Sequence, residues 1–181
     1  MKYLVCSDIH GSKGAAEFAL KAFEETGCDA ILCLGDVLYH GPRNDLPEDY
    51  SPKEVIALLN PYADKIIAVR GNCDAEVDQM VLDFALTADY NEFFLKGRKV
   101  FMTHGHVYSP EHHPGLKKGD VFLSGHTHIP TADRVNGIYY LNPGSCGLPK
   151  NNHPKTVAVL TKKDFVIYQE DGSPYMSVTF K

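Results

Sequence analysis

Apolar and polar positions alternate in blocks along this chain, and the blocks predict its elements. Residues 2–6 form a short apolar run that ends at Ser7-Asp8, which reads as a buried strand emptying into a loop. Ser12 is placed to cap a helix over 13–25, whose apolar residues Ala16, Ala19, Leu20 and Phe23 recur at helical spacing and which Gly27 stops. A second buried strand over 30–34 ends at Gly35-Asp36. Residues 39–50 are rich in Pro, Asn, Asp and Gly and read as loop. Ser51-Pro52-Lys53-Glu54 has the form of a capping box with proline at N1, opening a helix to about Asn60. A third strand over 65–69 ends at Arg70-Gly71-Asn72.

The second half changes character. Residues 93–95 and 99–103 flank Lys96-Gly97-Arg98 and predict a hairpin. Further short strands are expected over 121–124, 137–141, 156–161, 165–169 and 175–180. Strand–helix–strand–helix–strand followed by mostly β predicts one α/β domain over 1–181, a mixed-sheet core with helices outside. Phe84, Leu86, Phe93 and Phe94 fit equally a core or the interface of a homo-oligomer, a dimer or tetramer.

Composition adds exclusions. With 181 residues, 44% hydrophobic and 23% charged, the chain has the make-up of a soluble globular domain large enough to bury its own core. The net charge is −5 and no Lys/Arg run exceeds two residues, which argues against a broad surface for tracking nucleic acid. No stretch approaches a membrane span, and the first apolar run is too short for a signal peptide. The five cysteines, Cys6, Cys28, Cys33, Cys73 and Cys146, show no paired spacing and read as reduced thiols, so the expected location is cytoplasmic.

The chemistry sits at the strand ends. Asp8, Asp36, Asn72, His104 and His126 each follow an apolar run of about five residues, and such ends are where open α/β sheets place ligands. In Asp8-Ile9-His10 and in His126-Thr127-His128 an extended backbone would put both side chains of each pair on one side, within reach of one metal ion. Asp36 reads as a turn residue after Gly35 or as a carboxylate giving one oxygen to each of two ions. Asn72 reads as a left-handed turn residue or as a neutral amide ligand, and His104 as a core histidine or a ligand. Taken together in this order, the set predicts a site for two divalent ions acting on a phosphate ester. Two such ions bring four positive charges. Asp8, Asp36 and a bridging hydroxide remove three, leaving one to attract an anionic ester. Oxygen and imidazole donors without thiolate suit Mn2+, the first choice, or Ni2+, Zn2+, Fe2+ or Co2+, better than calcium.

With these motifs the chain resembles the calcineurin-like metallophosphoesterase superfamily, whose pattern is Asp-x-His, Gly-Asp, Gly-Asn-x-Asp/Glu, His and Gly-His-x-His. Gly41-Pro42-Arg43-Asn44, the stretch from Val69 through Asp74, and Asn142-Pro143-Gly144-Ser145 are similar to those of the small bacterial YfcE-type phosphodiesterases. The resemblance implies a four-layer α/β/β/α sandwich of two mixed sheets. It implies one ion on Asp8, His10, Asp36 and His128, a second on Asp36, Asn72, His104 and His126, and a metal-bridging hydroxide that attacks phosphorus. The implied substrate is a small phosphodiester, with a phosphomonoesterase or a non-catalytic scaffold as alternatives. Many relatives carry histidine where this chain has Cys73, and that histidine is thought to protonate the leaving oxygen. His40 and His106, each beside a motif glycine, are the alternative proton donors or else plain loop histidines. Asp74 is expected to orient a neighbour. Arg43, Arg70 and Lys150 read as phosphate contacts or as surface charge, and residues 142–145 as backbone N–H donors to phosphate or as a turn.

Overall fold

A computed structural model describes residues 1–181. Its strands are β1 (Tyr3–Cys6), β2 (Ala30–Cys33), β3 (Ile66–Ala68), β4 (Tyr90–Leu95), β5 (Arg98–Thr103), β6 (Val121–Leu123), β7 (Thr131–Val135), β8 (Ile138–Asn142), β9 (Thr156–Leu160), β10 (Asp164–Gln169) and β11 (Pro174–Thr179). The helices are α1 (Lys13–Thr26) and α2 (Pro52–Leu59). Two mixed sheets result, one ordered β11-β10-β9-β1-β2-β3 and the other β4-β5-β6-β8-β7. β1, β2 and β3 run parallel, as do β5, β6 and β8.

The six-stranded sheet is a middle layer, which explains why its central strands β1, β2 and β9 read as unbroken apolar runs. Alternate residues serve two cores. Leu4, Cys6, Ile31, Cys33, Val157 and Val159 face α1 and α2, whereas Tyr3, Val5, Leu32, Leu34, Ala158 and Leu160 face the second sheet. Each fully buried leucine here contributes about 1.5–3 kcal/mol.

α1 begins and ends as expected. The Ser12 hydroxyl accepts the Ala15 N–H at 3.1 Å, and Gly27 closes the helix in the left-handed region at φ 60°. α2 has its proline in the first turn, but the Ser51 side chain makes no capping bond; Glu54 turns instead to Lys13 at 2.9 Å. The second sheet carries no outer helix. Its outer face, with Phe101, Phe122 and Tyr140, is covered by the irregular segment 104–120, whose Tyr108 and His113 rings lie 5.2 Å from Phe101 and 5.6 Å from Phe122. Phe84 and Leu86 are core residues and Phe93 packs against the core, while Phe94 is 71% exposed on edge strand β4. Sequence reasoning missed β7, whose polar Asp133 and Arg134 point to solvent. Its signal is Asn136-Gly137, both at positive φ, a two-residue hairpin turn into β8. No helix is long and apolar enough to cross a membrane.

Candidate metal centre

Five loops meet where the parallel strands of both sheets end: Asp8 after β1, Asp36 after β2, Asn72 after β3, His104 after β5 and His126 after β6. The first two loops are zipped together, with the N–H groups of Asp8, His10 and Gly11 donating to the carbonyls of Gly35, Asp36 and Val37 at 2.8–3.1 Å. Neither Asp8-Ile9-His10 nor His126-Thr127-His128 is extended, which corrects the picture of side chains sharing one side of a strand. Asp8, His10, Asp36, His126 and His128 all have φ between 50° and 66°, a conformation that costs non-glycine residues on the order of 1–2 kcal/mol each. The resulting kinks send the two imidazoles of the second motif apart. His128 Nε2 lies 3.3 Å from both Asp8 Oδ1 and His10 Nε2, whereas His126 Nδ1 lies 3.2 Å from His104 Nε2.

Orientation is fixed from behind. The Nδ1 atoms of His10 and His104 bond the carbonyls of Tyr39 (2.8 Å) and Leu34 (2.7 Å), and that of His128 bonds Leu148 O. A ring whose Nδ1–H donates to a carbonyl turns a bare Nε2 lone pair inward. Asp8 Oδ2 accepts from Ser7 Oγ at 2.6 Å and from the His126 N–H at 3.1 Å. Asp8 Oδ1 is buried with no hydrogen-bond partner, 3.3–4.0 Å from the Nε2 atoms of His128, His10 and His104. Asp36 Oδ1 accepts the Cys73 N–H at 2.8 Å, leaving Oδ2 between His10 Nε2 (3.6 Å) and His104 Nε2 (3.4 Å). Asn72 Oδ1 stands 3.1 Å from His104 Nε2. A buried carboxylate oxygen facing only imidazole lone pairs is uncompensated unless a proton or a cation lies between them; the donor set fits divalent metal.

The charges reflect that crowding. Burial pushes Asp8 up, but His10, His128 and His104 outweigh it and hold the carboxyl well below its ordinary value. Burial works against charge on His104, yet Asp36 and Asp8 push it up to about 9. Burial and the neighbouring His104 push His106 and His126 down.

Two motif glycines clear the space. A Cβ on Gly71 would collide with the Asp36 carboxylate and backbone, and one on Gly125 with the Ser7 side chain. Asp74 is buried away from the cavity and accepts the N–H groups of Asp36 (2.7 Å), Val37 (2.8 Å) and Gly71 (2.7 Å). Its carboxylate ties the loops after β2 and β3 together and does not line the cavity that opens over the donors. Residues 142–145 are a brace and not an anion cradle. Asn142 Nδ2 donates to Gly125 O and Thr127 Oγ1, its Oδ1 takes the Gly144 N–H, and Ser145 Oγ donates to Asp8 O.

A cavity of about 360 Å³ opens over this cluster, walled by Asp36, Asn72, Cys73, His126 and His128 together with Arg43, Asn44, Thr127 and Lys150. Arg70 does not line it; its guanidinium pairs with Asp89 at 2.7 Å. Nor do His40 and His106. The His40 ring lies edge-on to Tyr39 and Tyr50, and the His106 ring 5.4 Å from that of His104. Sequence reasoning gives Asn44 and Ser145 only as members of their motif stretches and gives Ser7 and Thr127 no role of their own, because a hydroxyl or amide beside a motif carries no signal until the loops are folded.

The profile of the calcineurin-like phosphoesterase superfamily domain matches residues 1–164. The chain is 48% identical to phosphodiesterase YfcE of Escherichia coli over 160 residues, 88% of this chain and 87% of that protein. It is 29% identical to the probable metallophosphoesterase YsnB of Bacillus subtilis over 89% of this chain and 84% of the other. The solved structure of YfcE, described as a phosphoesterase from E. coli, superposes with a TM-score of 0.97 at 44% identity over the full length of both chains. Vps29 of Entamoeba histolytica complexed with Zn2+ shares the fold at TM-score 0.63 and 22% identity over both full lengths. Family profile, sequence and backbone agree with one another: the chain belongs to the calcineurin-like phosphoesterase superfamily.

Proposed function

We propose that this protein is a divalent-metal-dependent phosphodiesterase acting on small phosphodiesters, with manganese as its first-choice ion. The observation that carries the reading is the buried, unpartnered Asp8 Oδ1 facing three imidazole nitrogens, with Asp36 Oδ2 placed between two of them. Asp8, His10, Asp36 and His128 would hold one ion, and Asp36, Asn72, His104 and His126 the other. Bound there, two such ions supply Lewis acidity at the phosphoryl oxygens and a deprotonated water as nucleophile.

The chain's own groups do the rest. Arg43 and Lys150 reach the cavity from different loops and supply cationic contacts for a singly charged diester, while Asn44 and Thr127 offer neutral hydrogen bonds. The wall's only imidazoles, His126 and His128, are assigned to the ions, and Arg43 and Lys150 to the phosphate charge. Burial and the nearby Asp36 push the Cys73 thiol up to about 12, and His40 and His106 stand outside the cavity wall. The reading therefore favours diesters whose leaving alcohol or phenol departs without help from a proton. YfcE, the relative named a phosphodiesterase, supports diester over monoester. The free state of all five cysteines supports the cytoplasm.

The test is hydrolysis of bis(p-nitrophenyl) phosphate by metal-stripped protein after adding manganese, nickel, zinc or magnesium singly, beside p-nitrophenyl phosphate as the monoester. Diester turnover restored by manganese and lost in His128→Ala is expected. Faster turnover of the monoester overturns the diesterase reading, and no turnover of either ester with ions bound overturns catalysis.

A further inference from the structure

Cys73 is the one donor in the cavity wall to which the phosphodiesterase reading gives no task. Its position is closely held. Its N–H donates to Asp36 Oδ1, and Asn72 Nδ2 donates to its Sγ at 3.2 Å. A Cβ on Gly41 would meet the sulfur at 2.8 Å, so it is the glycine that makes room for Sγ on that side. The sulfur, a ring nitrogen of His10 and a carboxylate oxygen of Asp36 all lie within 4.8 Å of one another. An ion with nitrogen and oxygen donors at roughly 2.1 Å and sulfur at roughly 2.3 Å needs only small side-chain adjustments to take all three.

We propose that Cys73 is a conditional metal ligand: thiophilic divalent cations such as cadmium, zinc and cobalt draw its sulfur in beside His10 and Asp36, whereas manganese and magnesium leave it an uncoordinated thiol. The inference rests on the metal reading above. On binding, the S–H bond breaks, a sulfur–metal bond forms, the proton goes to solvent, and no electron is transferred. Soft thiolate selects the softer ions, and hard oxygen-preferring ions gain little from it. The consequence follows from where the sulfur sits. A catalytic ion keeps one position open to substrate, and a closed donor set makes a structural site. Because Cys73 lines the cavity, its sulfur would take a position on the substrate side. Thiophilic ions would bind tightly and silence the enzyme.

The experiment is titration of the metal-free full chain with cobalt, read as near-ultraviolet sulfur-to-cobalt charge-transfer absorption, in wild type and Cys73→Ser. The band is expected in wild type and absent from the variant, which still binds cobalt. Competition with manganese should show cadmium affinity falling about 10–100-fold in Cys73→Ser, the scale for losing a partner at a metal site, with manganese affinity nearly unchanged. Wild type that binds cobalt without the band overturns the proposal. So does a band that persists in Cys73→Ser, which would report one of the four buried cysteines. A chain that binds no cobalt overturns the metal reading and this one with it.

Discussion

Metal-free protein should lose stability as pH rises from 6.5 to 8, a loss that metal-loaded protein should not share. His104 drives the effect. Its side chain is fully buried, 3.4 Å from Asp36 Oδ2 and 4.0 Å from Asp8 Oδ1, and its folded value is about 9, against about 6.5 in the unfolded chain. A group raised on folding contributes its full stabilisation below the unfolded value and loses it as pH climbs through the folded one. The full contribution is about 3 kcal/mol, and about half of it is gone by pH 8. His10, raised beside Asp8, adds in the same direction. His106 and His126, lowered, act below pH 6.5, and Asp8 and Asp36, lowered, act below their ordinary carboxylate range. The raised thiols of Cys73 and Cys146 begin to matter only near the point where unfolded cysteines ionise, about 8.5. The window is therefore set by the two raised histidines. Metal must displace their protons, so with manganese in excess stability rises or holds over the same range. Urea unfolding of metal-free and manganese-loaded protein at pH 6.5, 7.25 and 8 measures both slopes. Metal-free stability that is flat or rises with pH refutes the account of His104 between two carboxylates.

Three further outcomes are expected. Asp36→Asn should cut manganese-supported diesterase activity about 100-fold or more and weaken both ions by calorimetric titration, because Asp36 Oδ2 stands between His10 and His104; full activity with two ions retained would sink the shared-carboxylate assignment. Asp74→Ala should cost about 3 kcal/mol by urea unfolding, since three buried backbone N–H groups lose a charged acceptor; a change within about 0.5 kcal/mol would show the loop holds itself. Across aryl ester leaving groups of rising pKa, kcat/KM should fall steeply, because the wall's imidazoles, His126 and His128, are assigned to the ions and its Cys73 thiol is a weak acid; a flat series would reveal a proton donor such as Lys150.

What the sequence disclosed followed the length scale of the physics. β1, β2, β3 and α1 were legible because burial on both faces, or on one stripe, leaves a local periodic trace. Asp8, Asp36, Asn72, His104 and His126 stand out as candidates because each follows such a run. The geometry within the site was not, because it depends on a backbone state that no side-chain pattern encodes. Asp-x-His reads as an extended pair, yet both residues sit near φ 50–58°. Likewise Asn142 and Ser145 look like turn residues, and only their bonds to Gly125, Thr127 and Asp8, across sequence separations of 15 to 137, show them as braces.

The left-handed residues also explain how the site is held. Asp8, His10, Asp36, His126 and His128 pay a conformational cost that isolated loops would relax. Three structures oppose that relaxation: the backbone ladder that zips the loops after β1 and β2, the three N–H groups gathered by Asp74, and the amide of Asn142. Asp74 and Asn142 stay out of the cavity wall, which is left to the donors and to the loop residues Arg43, Asn44, Thr127 and Lys150. The scaffold's packing thus holds these carboxylates and imidazoles 3.3–4.0 Å apart, close enough to share protons in the metal-free chain and open to displacement of those protons by metal.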